Sequence, residues 1–216
     1  ALLDAYPIAY IKWDHNRDLV DAGDQTRGGR PAVHEQTLAY YRLLDELREA
    51  HPELEIESCS SGGARVDLEV LQRTDRVWVS DCIDPLERQV MNRWTAQLIP
   101  LEYMGSHIAS RHSHTTGRRH DIGFRAATAV FGHLGIEWDL TEATEEELAQ
   151  LTDWVAFYKE HRDLLLGGDL VRMDGPDPHQ FVHGVVAPDR SRPVIGLAVT
   201  ASLHAVPGPR ARFRGL

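Results

Sequence analysis

The stretch Tyr10-Ile11-Lys12-Trp13-Asp14-His15-Asn16-Arg17 limits the possible folds more than any other part of the chain. Ala9 to Trp13 is mostly apolar and reads as a buried strand that runs into a polar loop and then a helix. Side chains alternate faces along a strand, so Tyr10, Lys12 and Asp14 share one face. A Lys and an Asp on the inward face of an apolar strand are costly unless they are paired or used. Strand, polar loop and helix make a β/α unit, and in such folds the chemistry collects at the C-terminal ends of strands. A structural Lys12–Asp14 pair at a strand end explains the pattern equally well.

The rest of the chain repeats the unit. Leu2 to Pro7 reads as a helix tail, and Asp18 to Ala32 as a long polar loop. Val33, Leu38, Tyr41, Leu44 and Leu47 form a helical apolar stripe over Val33–Ala50, with Pro52 beyond its end. Leu54–Ser58 reads as a strand, Ser60–Ala64 as a small-residue turn and Asp67–Arg73 as a short helix. Gly62-Gly63 suits close approach of backbone to a ligand, and equally suits a tight strand-to-helix turn. Arg76–Ser80 is the next strand. Leu98–Met104 and His133–Trp138 are further strand candidates, with an Ala-rich helix at Gly123–Phe131 between them. Thr144-Glu145-Glu146-Glu147 is a capping box opening a helix to about Leu166.

After Gly167-Gly168 come short β-type runs broken by Gly and Pro: Leu170–Met173, Phe181–Val186 and Val194–Val199. They suggest the start of a separate antiparallel domain. Alternating strands and helices before that point argue for a parallel α/β arrangement. About five strands precede Gly167, whereas a closed (β/α)8 barrel has eight and needs about 250 residues.

Two carboxylates compete for one chemical role after Arg76–Ser80. Asp84-Pro85-Leu86-Glu87 carries three helix-start signals: a capping Asp, a Pro at the first helical position and a Glu that completes a capping box. Asp84 therefore has a structural task, and Asp81 has none. Local physics favours Asp81 as the chemical residue.

Composition excludes some partners. The 216 residues carry a formal net charge of −10, and no Lys/Arg cluster forms a basic face. Nucleic acid and anionic membrane are not expected partners, and no apolar run approaches the ~20 residues of a membrane span. The two cysteines, Cys59 and Cys82, do not make a zinc site, and a disulfide between them is possible but unforced. A reducing compartment, the cytoplasm, fits them best. The four histidines His107, His112, His114 and His120 match no recognised ligand spacing, so no metal or other cofactor is expected.

Three segments, in order, carry a family resemblance. Lys12-Trp13-Asp14-His15-Asn16-Arg17 resembles the nucleophile motif of family 36 glycoside hydrolases, the microbial α-galactosidases, although the family usually has Met where His15 stands. Glu57-Ser58-Cys59-Ser60-Ser61-Gly62-Gly63-Ala64-Arg65 resembles its sugar-binding loop, and Trp78-Val79-Ser80-Asp81-Cys82-Ile83-Asp84 its acid/base motif. The similarity runs from about Ala9 to about Leu140. It implies Asp14 as nucleophile and Asp81 as acid/base, with Lys12, Asn16, Cys59, Gly62 and Trp78 lining the galactose subsite. The acid must hold its proton while the nucleophile is ionised. Lys12 is expected to stand as a positive neighbour of Asp14, and Trp78 to desolvate Asp81. The resemblance also implies that the chain starts just before the fourth barrel strand. Residues 1–166 would then be the C-terminal portion of a (β/α)8 TIM barrel, and 167–216 the start of an antiparallel β-domain. The substrate implied is an α-galactoside of the melibiose or raffinose type, cleaved with retention, and the full-length protein is expected to be a homo-oligomer. A galactosyl transferase of the raffinose-oligosaccharide type uses the same two aspartates. A truncated chain that only binds sugar weakly is the non-enzymatic alternative, and residues 1–216 alone are expected to be inactive and poorly folded.

Overall fold

The computed structural model describes residues 2–16, 22–174 and 177–202. Residues 1, 17–21, 175–176 and 203–216 lie outside the described residues, so Arg17 and the first part of the expected polar loop fall there. Contacts divide the chain into two units, Ala1–Asp81 and Cys82–Leu216.

The first unit opens with a helical turn, α1 (Leu2–Ala5), and the strand β1 (Tyr10–Asp14). Part of the expected polar loop is a small antiparallel hairpin, β2 (Gly23–Asp24) and β3 (Arg30–Pro31). The hairpin closes over a 3-10 turn that Asp24 caps from its side chain. Next come α2 (Val33–Ala50), β4 (Glu55–Cys59), α3 (Leu68–Leu71) and β5 (Arg76–Trp78). Strand β4 runs parallel to β1, with Lys12 opposite Glu57 and Asp14 opposite Cys59, and β5 runs parallel to β4. The helix α2 has the limits its apolar stripe marks, and its Leu44 is fully buried with Leu54 and Ile56. Ile11 and Trp13 of β1 pack onto that cluster. Asp75 ties the start of β4 to α2, its Oδ2 accepting from the Ile56 N–H at 2.8 Å and from Arg48 at 3.0 Å.

Strand β1 differs from the expected buried strand. Ile11 and Trp13 are half-buried, while Tyr10, Lys12 and Asp14 are exposed on the other face. The buried strands of this unit are β4, enclosed from Ile56 to Cys59, and β5, enclosed at Val77 and Trp78.

The second unit contains α4 (Pro85–Thr95), β6 (Met104–Ala109), α5 (Ile122–Ala129), β7 (His133–Glu137) and α6 (Glu145–Gly167). Strands β6 and β7 are parallel, from Gly105 opposite His133 to Ala109 opposite Glu137. The expected strand at Leu98–Met104 is displaced towards the C-terminus. Leu98 and Ile99 both donate to Thr95 O and finish the helix in a turn. Pro100 has no N–H for a ladder and instead precedes a 3-10 turn at Leu101–Tyr103. The strand then forms from Met104, where the small Gly105 and Ser106 fit a buried position. Ile108, Ile122, Ala126, Ala129 and Leu151 make the core that joins β6, α5 and α6. The capping box expected at Thr144 is present, with Thr144 and Glu147 each accepting from the other's backbone N–H.

The antiparallel runs also form. β8 (Asp169–Asp174), β9 (Gln180–Val186) and β10 (Pro193–Val199) make a three-stranded sheet with β9 in the middle. Among the described residues no helix is long and apolar enough to cross a membrane.

Candidate active site

The C-terminal ends of β1, β4 and β5 carry the residues singled out in the sequence. The loops after β1 and β4 are fastened to each other through backbone. The His15 N–H donates to Cys59 O at 3.2 Å, and Ser60 Oγ donates to His15 O at 2.8 Å. Arg65 spans both loops, donating to His15 O at 2.8 Å and to Cys59 O at 3.2 Å, and its guanidinium lies 4.5 Å from the Tyr40 ring centre. Asn16 Oδ1 accepts from the Ser61 N–H at 2.5 Å. Ser61 has φ +46°, in the left-handed region that non-glycine residues rarely occupy. The bond from Asn16 helps hold it there. Asn16, expected to touch sugar, therefore commits its carbonyl oxygen to the protein and keeps its amide N–H groups.

Asp14 and Cys59 are register partners on the parallel strands β1 and β4, which brings the thiol beside the carboxylate. Burial pushes the thiol upward, and the Asp14 charge adds to this against the Gly62 N–H and the Lys12 charge. Cys59 therefore stays a neutral thiol at neutral pH, and both cysteines are free.

Lys12 is not the partner of Asp14 that the strand pattern suggested. Its ammonium pairs with Glu57 Oε1 at 3.5 Å and lies 4.1 Å from the Trp78 ring centre. Parallel pairing puts Glu57 directly beside Lys12, whereas Asp14 is two residues along the same strand. Glu57 Oε2 also accepts from the Tyr10 hydroxyl at 2.8 Å. Burial, and then the Glu57 charge, raise the Tyr10 phenol far above its usual range, so it remains a donor. Trp78 Nε1–H donates to Asp81 Oδ1 at 3.0 Å, which gives Asp81 an orienting contact.

Gly62 and Gly63 are required by the protein's own backbone. Gly62 has φ +73°, and a Cβ there would stand 2.5 Å from Ser80 Cα and 2.8 Å from Asp81 N. A Cβ on Gly63 would stand 2.7 Å from Val79 O. The loop after β4 thus packs against the backbone that leads to Asp81. Gly62→Ala is expected to lower stability by about 1–3 kcal/mol and kcat/KM by about 10²-fold through displacement of Asp81. Unchanged kinetics in the full-length variant would show that Asp81 does not depend on this contact.

In the second unit, Asp84 is fully buried at the start of α4 and caps the Leu86 N–H at 2.8 Å. It also accepts from Thr116 Oγ1 and from Arg118 Nη1 at 3.1 Å, and His120 Nε2 lies 3.2 Å from its Oδ1. Burial raises its pKa, but Thr116, the Leu86 N–H, Arg118 and His120 outweigh burial and hold the carboxyl below the usual range. Glu87 pairs with Arg118 at 2.5 Å rather than completing the expected capping box. Thr115 Oγ1 also donates to Cys82 Sγ at 3.2 Å. Asp84→Asn keeps the cap but breaks the ion pairs, so it is expected to cost about 2–3 kcal/mol in chemical denaturation of the full-length protein. A cost below about 0.5 kcal/mol would mean that capping alone matters.

These motifs belong to a known family. The melibiase family matches residues 1–168. The chain is a member of the melibiase family. It is 46% identical over its full length to an α-galactosidase of Escherichia coli and spans 30% of that relative. The α-galactosidase AgaA of Geobacillus stearothermophilus is 31% identical over 100% of the chain, which again spans 30% of the relative. A crystal structure of a variant of that enzyme, a family 36 α-galactosidase in complex with raffinose, superposes with a TM-score of 0.86 at 32% identity, covering 90% of this chain and 28% of the other. The galactosidase domain of the α-galactosidase–sucrose kinase AgaSK superposes with a TM-score of 0.90 at 26% identity, covering 99% of this chain and 29% of that one. The fold class is thereby the expected one, part of a (β/α)8 barrel followed by antiparallel β-structure.

Within this melibiase chain three of the four histidines sit in separate places. His107 Nδ1 lies 2.9 Å from Glu137, His120 lies against Asp84, and the His112 backbone forms an isolated antiparallel β-bridge with Arg119. Among the described residues no three His, Cys, Asp or Glu side chains gather in a metal-ligand cluster. The segment His114–His120 gains a task that its sequence did not disclose, since Thr116, Arg118 and His120 all converge on Asp84. Glu57 and Arg65 were also missed as individual residues. Glu57 lies in β4, whose sequence Glu55-Ile56-Glu57-Ser58-Cys59 is itself largely polar, so nothing in the sequence marked it as buried.

Proposed function

We propose that the protein containing this chain is a retaining α-galactosidase that removes terminal α-galactosyl units from sugars of the melibiose and raffinose type. The observation that carries this reading is one cluster at the strand ends of the first unit. There Asp14 stands beside Cys59, Lys12 lies on Trp78, and Trp78 donates to Asp81. The raffinose bound in the structure of the Geobacillus relative supports the choice of sugar.

In this reading Asp14 attacks the anomeric carbon while Asp81 gives its proton to the departing glycosidic oxygen, leaving a galactosyl ester on Asp14. Asp81 then takes a proton from water, which attacks the same carbon and releases Asp14. Retention requires the two carboxyl groups to stand about 5–5.5 Å apart across the scissile bond. The Trp78 indole N–H fixes one oxygen of Asp81 and leaves the other for the leaving group. The Lys12 ammonium and the Asn16 amide supply hydrogen-bond donors for galactose hydroxyls, and Trp78 supplies an apolar face.

The test is hydrolysis of raffinose, melibiose and an aryl α-galactoside by the full-length protein, with the first-formed galactose followed by NMR. The α-anomer should appear first, and a first-formed β-anomer or no turnover overturns the reading. Turnover is expected to survive exhaustive chelation. Stoichiometric zinc together with inactivation by chelator would contradict that.

A further inference from the structure

We propose that Glu57 is a positioning residue for this reaction: its buried carboxylate holds the Lys12 ammonium on the face of Trp78 and away from Asp14. The inference rests on the α-galactosidase reading and adds to it a residue that does not itself meet the sugar.

Glu57 is only 2% exposed. A carboxylate so placed is costly unless charge and hydrogen bonds compensate it. Both of its partners come from the open face of β1. Tyr10 donates to one oxygen at 2.8 Å, and Lys12 pairs with the other at 3.5 Å. Arg76, 5.1 Å from the Tyr10 ring centre, packs over the phenol. Tyr10 and Lys12 thus both meet Glu57 from β1, Tyr10 through a hydrogen bond and Lys12 through charge.

Two carboxylates compete for the ammonium, because Lys12 and Asp14 also share a strand face. A lysine side chain is flexible and its charge is compact, so the stronger local partner sets where it rests. Glu57 wins here by register, and Lys12 settles 4.1 Å from the Trp78 ring centre. Two consequences follow. Among the described residues Asp14 forms no ion pair and stands beside its register partner, the neutral Cys59 thiol. Trp78, whose indole N–H orients Asp81 at 3.0 Å, is covered by a cation on its face. An ammonium has three donors, so Lys12 can pair with Glu57 and still serve a hydroxyl of the sugar.

The test is Glu57→Gln in the full-length protein. Glutamine keeps the volume and the bond from Tyr10 but removes the charge. KM for an aryl α-galactoside is expected to rise about tenfold with kcat within about threefold, the pattern of lost ground-state binding. Lys12→Met should itself raise KM, and adding Glu57→Gln to it should change KM by less than about twofold, because the carboxylate acts through the ammonium. Glu57→Asp keeps the charge and draws it back by one methylene, so its KM should rise by only about threefold. If the Gln variant does not accumulate, the Asp variant decides, and an unchanged KM overturns the proposal. A lowered thermal midpoint with unchanged KM, or full additivity with Lys12→Met, would mark Glu57 as merely structural. A crystal structure of Glu57→Gln gives a readout independent of turnover. Lys12 should leave the Trp78 ring, and an unmoved Lys12 overturns the proposal even if the full-length protein proves not to be an α-galactosidase.

Discussion

Asp14→Ala in the full-length protein is expected to lower kcat on raffinose by about 10⁴-fold or more, as loss of a covalent nucleophile does elsewhere. Added azide should restore part of the activity, because it fits the space of the missing carboxylate and attacks from the same side. The product should then be β-galactosyl azide, with a single inversion replacing the double displacement. The surroundings make this a clean test. Lys12 is paired with Glu57 rather than with Asp14, so the substitution leaves no buried cation without a partner. It removes a charge that stands beside the Cys59 thiol. An α-azide product, or normal turnover without azide, would remove Asp14 from the role.

The second large effect is expected at Asp81. Asp81→Asn should lower kcat/KM for raffinose by about 10²–10⁴-fold, the usual contribution of a general acid. For an aryl α-galactoside kcat/KM should change far less, because a good leaving group departs without a proton. The amide oxygen of Asn can still accept from Trp78 Nε1, as Asp81 Oδ1 does at 3.0 Å. The exchange therefore removes the transferable proton and leaves the indole in place. Equal losses on both substrates would assign the acid to another residue.

Local interactions account for what was legible in the chain. The limits of α2 at Val33 and Ala50 and the Thr144 capping box follow from contacts within about four residues, which sequence spacing displays directly. The assignment of Asp84 to a helix start was legible for the same reason, as was the alternation that puts Lys12 and Asp14 on one face. The displaced β6 shows the limit of such reading. Leu98, Ile99 and Leu101 have strand-like composition, but the end of α4 and Pro100 take up their backbone first.

The sequence by itself determined that the chain is built of β/α units followed by antiparallel strands, and which short segments carry the chemistry. Periodicity, caps and motif order are properties of neighbours along the chain. Tertiary structure alone decided which partner each charged group has. Lys12 looked bound to Asp14, two residues away, but strand register gives it to Glu57. Gly62 suited either a ligand-facing loop or a tight turn, and the fold adds a further demand, since the Ser80–Asp81 backbone occupies the space a Cβ would need. Asp84 looked like a simple cap, but Thr116, Arg118 and His120 return from more than 30 residues later to enclose it. In each case several partners of suitable charge or size lie along the chain. Only the folded register determines which one arrives within hydrogen-bonding distance, and Coulomb and hydrogen-bond energies decide the pairing at that range.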